Sequence, residues 1–163
     1  MKTKNKRIII SLSLTIAFII TAAISIYYKN NTAGNLKCMG NYNIANSKET
    51  LQSTIRVTFD KQHGALVLRG AIKNMEGKTA ELTITSLFNV NIINRSYALK
   101  LSEYSVKQLN HRTPGINLNY EHLLPPIFYK KNSLAVYTIH HQPDGNYIFS
   151  VGDMPVFFCV KQK

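Results

Sequence analysis

The two cysteines, Cys38 and Cys159, are the residues whose chemistry the sequence constrains most. If the chain is exported to an oxidising compartment, these two thiols can pair with each other within one chain. The alternatives are two unpaired thiols in the core or a disulfide between two chains. An internal bridge would close a loop of about 120 residues, which stabilises a fold by roughly 5 kcal/mol on the chain-entropy model. It also requires the two ends of the domain to be neighbours.

Catalytic patterns are scarce in the rest of the chain. The sequence has eight carboxylates, and four of them fall in or near predicted turns: Asp60, Glu76, Asp144 and Asp153. No nucleophile-elbow, zinc-protease, CxxC or phosphate-loop motif occurs. The sequence therefore predicts a protein that is not an enzyme and that uses no cofactor.

The histidines offer one further kind of chemistry. His140 and His141 are adjacent, but neighbouring residues on a strand point to opposite faces, so we predict no metal site there. Histidine titrates near pH ~6.5, and an exported domain experiences the external pH. We therefore hypothesise that His122, His140 or His141 senses mild acid. The alternative is that these histidines are exposed and have no role.

An uncharged apolar run at residues 8–28 dominates the amino-terminal region. At ~1.5 Å per residue, this run is long enough to cross ~30 Å of hydrocarbon as a helix. Basic residues precede it, and positive charge beside a span favours the cytoplasmic side. A cleavable signal peptide ending near residues 21–23 is the alternative. We predict four regions in order: a cytoplasmic basic stub at 1–7, a single inner-membrane helix at 8–28, a tether at 29–35 and a periplasmic domain at 36–163.

The net charge of +12 does not by itself indicate nucleic-acid binding. Part of this charge belongs to the predicted cytoplasmic stub. The other basic residues are scattered singly, with no basic helix and no RNA-binding aromatic pattern. We therefore predict no direct contact with nucleic acid.

Beyond the tether, apolar residues recur with a period of two, which is typical of antiparallel strands with one wet face. Turn signals occur at Asp60–Gly64, where we expect Gly64 to take positive φ, at Asn74–Lys78 and at Gln142–Gly145. Residues 103–131 break the alternation and predict an irregular connection with a short helix near 117–124. The pattern predicts a mainly β (α+β) domain of seven or eight strands, either an up-and-down barrel or a strongly curved sheet.

One set of inward apolar residues could serve either of two purposes. These residues alternate along two of the predicted strands: Ile55, Val57, Phe59, Leu82, Ile84 and Phe88. They could line a cavity for a lipophilic ligand. They could equally fill the interior of a small barrel by themselves.

The overall layout resembles that of a known family. A basic stub and one span are followed by Cys38 within the segment CMGNY, and the chain ends on the segment PVFFCVK around Cys159, after GNYIF at residues 145–149. In these features the chain is similar to the FidL-like and ToxS-type inner-membrane proteins, the companions of ToxR-type transcription regulators. Within that group it looks most like the members from fimbrial operons.

The resemblance implies a regulatory companion with a lipocalin-like barrel. The partner would be a membrane-bound winged-helix transcription activator with a small periplasmic domain. The present chain would bind and stabilise that domain, and so help to transmit envelope conditions, such as pH, to fimbrial or virulence genes. The alternative function is a free-standing, membrane-anchored periplasmic binder of a small lipophilic ligand.

Overall fold

The computed structural model describes residues 15–25, 35–93, 96–109 and 120–162. The chain divides into two compact units, Met1–Gly34 and Asn35–Lys163. In the first unit, residues 15–25 form a helix whose side chains are all exposed, among them Ile16, Phe18 and Ile20. Within the described ranges no helix has both the length and the hydropathy needed to cross a bilayer. The rest of the predicted span at 8–28, residues 8–14 and 26–28, lies outside the described residues.

In the second unit, the described residues form eight strands that close into an antiparallel barrel. Each strand pairs with the next one along the chain, and the last strand returns to the first. The strands are β1 (Leu36–Ala45), β2 (Glu49–Phe59), β3 (His63–Asn74), β4 (Thr79–Ile93), β5 (Ser96–Leu109), β6 (Leu134–His141), β7 (Tyr147–Val151) and β8 (Met154–Lys161). This arrangement confirms the prediction of a mainly β, up-and-down barrel and replaces the alternative of an open curved sheet.

The alternation of side chains along the strands builds one core. In β2, inward residues such as Leu51, Ile55 and Val57 are fully buried, whereas their neighbours Gln52, Thr54 and Arg56 are exposed. A strand points successive side chains to opposite faces, so a period of two places every second residue inside the barrel. The core therefore follows directly from the sequence pattern.

All three predicted turns form, each between two consecutive antiparallel strands. Gly77 and Gly145 adopt positive φ of 79° and 85° in the turns between β3 and β4 and between β6 and β7. The prediction for Gly64 was wrong, because this residue lies within β3. The Asp60 carboxylate closes the turn instead, accepting hydrogen bonds from the backbone N–H groups of Gln62 (2.8 Å) and His63 (2.6 Å).

Gly64 has a packing role rather than a conformational one. It lies opposite Phe59 on β2, and a Cβ atom added at Gly64 would stand 2.3 Å from Cδ1 of the Phe59 ring. A side chain at this position would therefore displace a core aromatic ring.

The irregular connection predicted at 103–131 begins later than expected. Residues 103–109 continue β5 and pair with β4 from Glu81 to Leu87, after a register shift between Leu87 and Phe88. Their side chains are mostly polar, so the hydrophobic pattern did not reveal a strand. Backbone hydrogen bonds to the long neighbour β4 hold them in extended form.

The connection between β5 and β6 packs into the core. Its described part has two 3₁₀ turns, Tyr120–His122 and Pro126–Phe128, where a single helix near 117–124 was expected. Four of its side chains are buried: Leu123, Leu124, Ile127 and Phe128. The hydroxyl of Ser86 on β4 donates a 2.7 Å hydrogen bond to the carbonyl oxygen of Phe128. We call the segment from Tyr120 to Phe128 the plug. Its buried side chains complete the interior of the barrel.

Candidate functional site

The barrel closes at a short seam between β1 and β8. Within the described residues, two residue pairs register across it, Cys38 with Lys161 and Met39 with Val160. The backbone N–H of Gln162 adds a 3.0 Å hydrogen bond to the carbonyl oxygen of Lys37. By comparison, ten pairs join β1 to β2. The seam therefore has far fewer backbone hydrogen bonds than the β1–β2 pairing, and a further interaction is needed to hold β1 and β8 together.

A disulfide between Cys38 and Cys159 supplies that cohesion. The two Cα atoms are 5.4 Å apart and the residues are separated by 121 positions in sequence. Both cysteines are fully buried. This confirms the predicted internal bridge and the predicted proximity of the two ends of the domain.

Gly40 lets the two strands of the seam approach closely. A Cβ atom added at Gly40 would stand 2.1 Å from the carbonyl oxygen of Phe158 on β8. Any larger residue would push β1 away from β8 next to the disulfide. The seam therefore depends on a glycine as well as on the two cysteines.

The six inward residues proposed as core or ligand contacts all lie in the packed interior. Each of them is at most 2% exposed: Ile55, Val57, Phe59, Leu82, Ile84 and Phe88. The cavity bordered by Val57, Phe59 and Phe88 has a volume of about 10 Å³, no larger than one water molecule requires. Side chains such as Phe128 from the plug and Phe149 from β7 fill the rest. A lipophilic ligand would need these side chains to move apart.

Within the described part of the chain, strand β5 lacks a second strand partner along part of its length. Strand β6 pairs with β5 from Ser96 to Lys100, and Asn132 and Ser133 of the connection extend the contact to Leu101. From Ser102 to Leu109, β5 has a strand partner among the described residues on its β4 side alone. We call Ser102–Leu109 the free edge of β5. Unpaired backbone N–H and C=O groups on such an edge can accept another strand.

The last three strands carry exposed apolar side chains on their outer surface. These residues point away from the core and form what we call the outer apolar face: Leu134, Val136, Ile148, Val156, Phe158 and Val160. Leu134 is 65% exposed and Phe158 is 47% exposed. Ile148 pairs directly with Phe158, so β7 and β8 contribute neighbouring side chains. A group of exposed apolar side chains on one side of a domain is a candidate interaction surface.

The sequence contained a signal for the outer apolar face. Because Cys159 must point inward to form the disulfide, a period of two places Phe157 inside and Val156, Phe158 and Val160 outside. The apolar residues of the last strand do not by themselves show which of the two alternating sets faces the core. The inward direction of Cys159 decides this, because residues an even number of positions away share its face.

The three histidines proposed as pH sensors lie on the surface. His122 ends the first 3₁₀ turn, whereas His140 and His141 end β6, and all three are exposed. The ring of His141 makes an edge contact with Tyr147, with 4.8 Å between the ring centroids. Among the described residues, no group of three side chains could hold a metal ion. The proposed sensing role stays a prediction.

The geometry thus provides a disulfide-closed barrel with a free edge on β5 and an apolar outer surface on β6–β8. Comparison with protein-family models, with curated proteins and with solved structures found no match to this chain.

Proposed function

We propose that this protein is a membrane-anchored periplasmic companion of a transcription activator. Its barrel binds the small periplasmic domain of a single-span, winged-helix activator and stabilises it. The apolar run at residues 8–28 forms the anchor, and the described helix at 15–25 within it exposes apolar side chains along its whole length. The domain from residue 36 onward lies in the periplasm, where the disulfide forms.

The observation that carries this proposal is the outer apolar face. Five of its six side chains are between 39% and 65% exposed. In water this surface has a hydrophobic cost of about 25 cal/mol per Å² of apolar area, which burial against a partner removes. A surface covered by another polypeptide accounts for apolar residues that the fold itself leaves uncovered.

The free edge of β5 provides a second contact of a different kind. An extended segment of the partner can add to Ser102–Leu109 by backbone hydrogen bonds, as in β-augmentation. The side chains along this edge are mostly polar, so the edge contributes directional hydrogen bonds, whereas the apolar face contributes buried area. Together the two surfaces favour a protein partner over a small ligand.

Binding of this kind regulates the partner by mass action. A companion that binds only the folded form of a marginally stable domain raises its stability by a few kcal/mol once its concentration exceeds the dissociation constant. Two anchors in one membrane raise the effective concentration of each protein for the other. The level of folded activator, and therefore its activity, then depends on the companion.

The test replaces apolar residues of the outer face with charged ones. We expect Phe158→Glu and Val136→Glu to abolish co-purification of the full-length protein with its proposed activator partner. The steady-state level of the activator should fall with it. Both side chains point to solvent, so the barrel itself should keep its thermal stability.

Thr50→Glu on β2 is the matched control, because it places the same charge at an exposed outer position on a strand that does not contribute to the apolar face. This variant should leave co-purification unchanged. If the two glutamate variants of the face bind the activator as well as the wild type does, the face is not the docking surface. If the wild type binds no activator, the proposed function itself fails.

A further inference from the structure

A polar groove crosses the outer surface of β1–β4, on strands other than those of the outer apolar face. Two rows of outward side chains form it, and each row runs directly across the four strands. The first row follows the register Asn43, Gln52, Ala71 and Glu81. The second follows Asn41, Thr54, Arg69 and Thr83. The groove is open and has a volume of about 780 Å³.

The groove has many hydrogen-bonding groups that the fold does not use. Among the described residues, the side chains of Gln52, Arg69 and Glu81 have no hydrogen-bond or ion-pair partner. The Asn43 side chain accepts a 3.1 Å hydrogen bond from the backbone N–H of Ser53, which fixes its orientation. Amide, guanidinium and carboxylate groups present both donors and acceptors in planar, directional arrangements.

The charge and apolarity of the groove limit what it could bind. Arg69 and Glu81 offset each other, so the groove is formally neutral within a chain of net charge +12. A phosphate-rich ligand would meet one cation and one carboxylate, which favours no anion. Peptide recognition uses apolar pockets for side chains, but Ala71 is the one outward apolar residue that lines this groove. A ligand with polar groups on all sides and no charge fits this surface.

We propose that this groove binds a neutral oligosaccharide. Hydroxyl groups of a sugar both donate and accept hydrogen bonds, and therefore match side chains of the Asn, Gln, Arg and Glu types. The length of the groove across four strands, at ~4.8 Å between strands, accommodates two or more sugar units. The affinity is the sum of several hydrogen bonds along the groove. Each of them contributes little, because it replaces a hydrogen bond to water. The proposal is independent of the proposed companion function.

The test uses the full chain in a zwitterionic detergent without a sugar headgroup, because maltoside detergents are themselves neutral oligosaccharides. The probes are chitotetraose and maltotetraose, with a sulfated oligosaccharide and a neutral polar peptide for comparison. Saturation-transfer NMR detects binding, and calorimetry measures the dissociation constant. We expect at least one neutral tetrasaccharide to bind in preference to the sulfated oligosaccharide and the peptide.

Two variants connect that binding to the groove. Arg69→Ala should weaken it about tenfold to a hundredfold, as expected for the loss of one charge-assisted hydrogen bond. Ala71→Phe places an outward ring between Gln52 and Glu81 of the first row and should abolish binding. Lys100→Ala, an exposed cation on β5, is the matched control and should bind like the wild type.

Far-ultraviolet circular dichroism and thermal unfolding confirm that each variant is folded. Binding that persists unchanged in both Arg69→Ala and Ala71→Phe overturns the proposal. So does stronger binding of the sulfated oligosaccharide or the peptide, or no binding of either neutral tetrasaccharide.

Discussion

Individual hydroxyl groups inside the barrel connect its parts. Three serines are buried among apolar side chains: Ser53, Ser86 and Ser150. A hydroxyl that leaves water must keep a hydrogen bond, because an unpaired one costs about 1–3 kcal/mol in a protein core. Ser53 donates to the carbonyl oxygen of Tyr42 and so joins β2 to β1. Ser86 reaches from β4 to the plug.

Replacing Ser86 with alanine should loosen the plug. Ser86→Ala removes the donor to the Phe128 carbonyl oxygen and leaves that acceptor buried without the bond. We expect a loss of about 1–3 kcal/mol in the free energy of unfolding. Urea denaturation measures this loss as a lower midpoint with an unchanged slope. Ser105→Ala on β5, where the serine is exposed, should have almost no effect. Equal midpoints for the two variants would contradict the role assigned to Ser86.

Tyr42 should make the barrel sensitive to alkaline pH. Burial, with a smaller contribution from nearby Tyr137, raises the pKa of Tyr42 from 10.0 to about 12. The folded state thus favours the neutral phenol. The stability that Tyr42 contributes is fully present below pH 10 and is lost as the pH rises through about 12.

The variant Tyr42→Phe cannot ionise and should lose less stability than the wild type between pH 10 and 12. Unfolding free energies measured at several pH values across this range check the expectation. Tyr104→Phe, which alters a tyrosine with 46% exposure, is the control and should follow the wild type. Parallel curves for the wild type and Tyr42→Phe would show that ionisation of Tyr42 is not coupled to folding.

At the scale of the strands, the seam between β1 and β8 is the weakest connection in the barrel. It has two registered residue pairs within the described residues, whereas β2 and β3 have eleven. The disulfide compensates by restricting the unfolded chain as well as by joining the two strands. Gly40 contributes by allowing the backbones to approach.

Removing the disulfide should therefore destabilise the whole barrel and open this seam first. For the double variant Cys38→Ala and Cys159→Ala, we expect a loss of roughly 5 kcal/mol, since the loop spans 121 residues. Denaturant unfolding measures the total loss. Hydrogen exchange at the Gln162 amide, which donates to Lys37, should accelerate more than exchange within β3. Uniform acceleration throughout the barrel would show that the seam is not a separate weak point.

The strands illustrate which elements a local pattern can predict. The alternation in β2, β3 and β4 was clear because one face of each is packed against the core. The second half of β5 was missed because its extended form comes from hydrogen bonds to β4 rather than from an inward apolar row. Strand β1 was not delimited from the sequence either, since glycine and asparagine interrupt its apolar residues. Hydrogen bonds to the adjacent strand decided both elements.

For the whole molecule, the predicted membrane topology has a direct test. If the protein is exported and anchored as proposed, a reporter enzyme that is active only after export should be active when fused after Lys163. The intact mass of the protein from the membrane fraction should include residues 1–28. A mature protein that begins near residue 23 would favour the signal-peptide alternative, and an inactive exported reporter would contradict the topology.

The sequence by itself determined the local features of this protein. A period of two indicated strands and their inward residues, glycines indicated the turns at 77 and 145, and an even number of cysteines favoured the bridge. The strands and turns depend on the chemistry of a few neighbouring residues, and the bridge depends on the number of cysteines.

Only the tertiary structure decided where the barrel is closed and where it is incomplete. Strands β6–β8 are short, so β5 keeps a free edge and the plug fills the gap beside it. The position of the outer apolar face and of the polar groove depends on which strands become neighbours and in which register. The register within each hairpin follows from its turn and from the inward apolar pattern. By contrast, the pairing of β8 with β1, and of β6 with β5 across a long connection, joins segments far apart in the chain, and no local pattern of side chains encodes these partners.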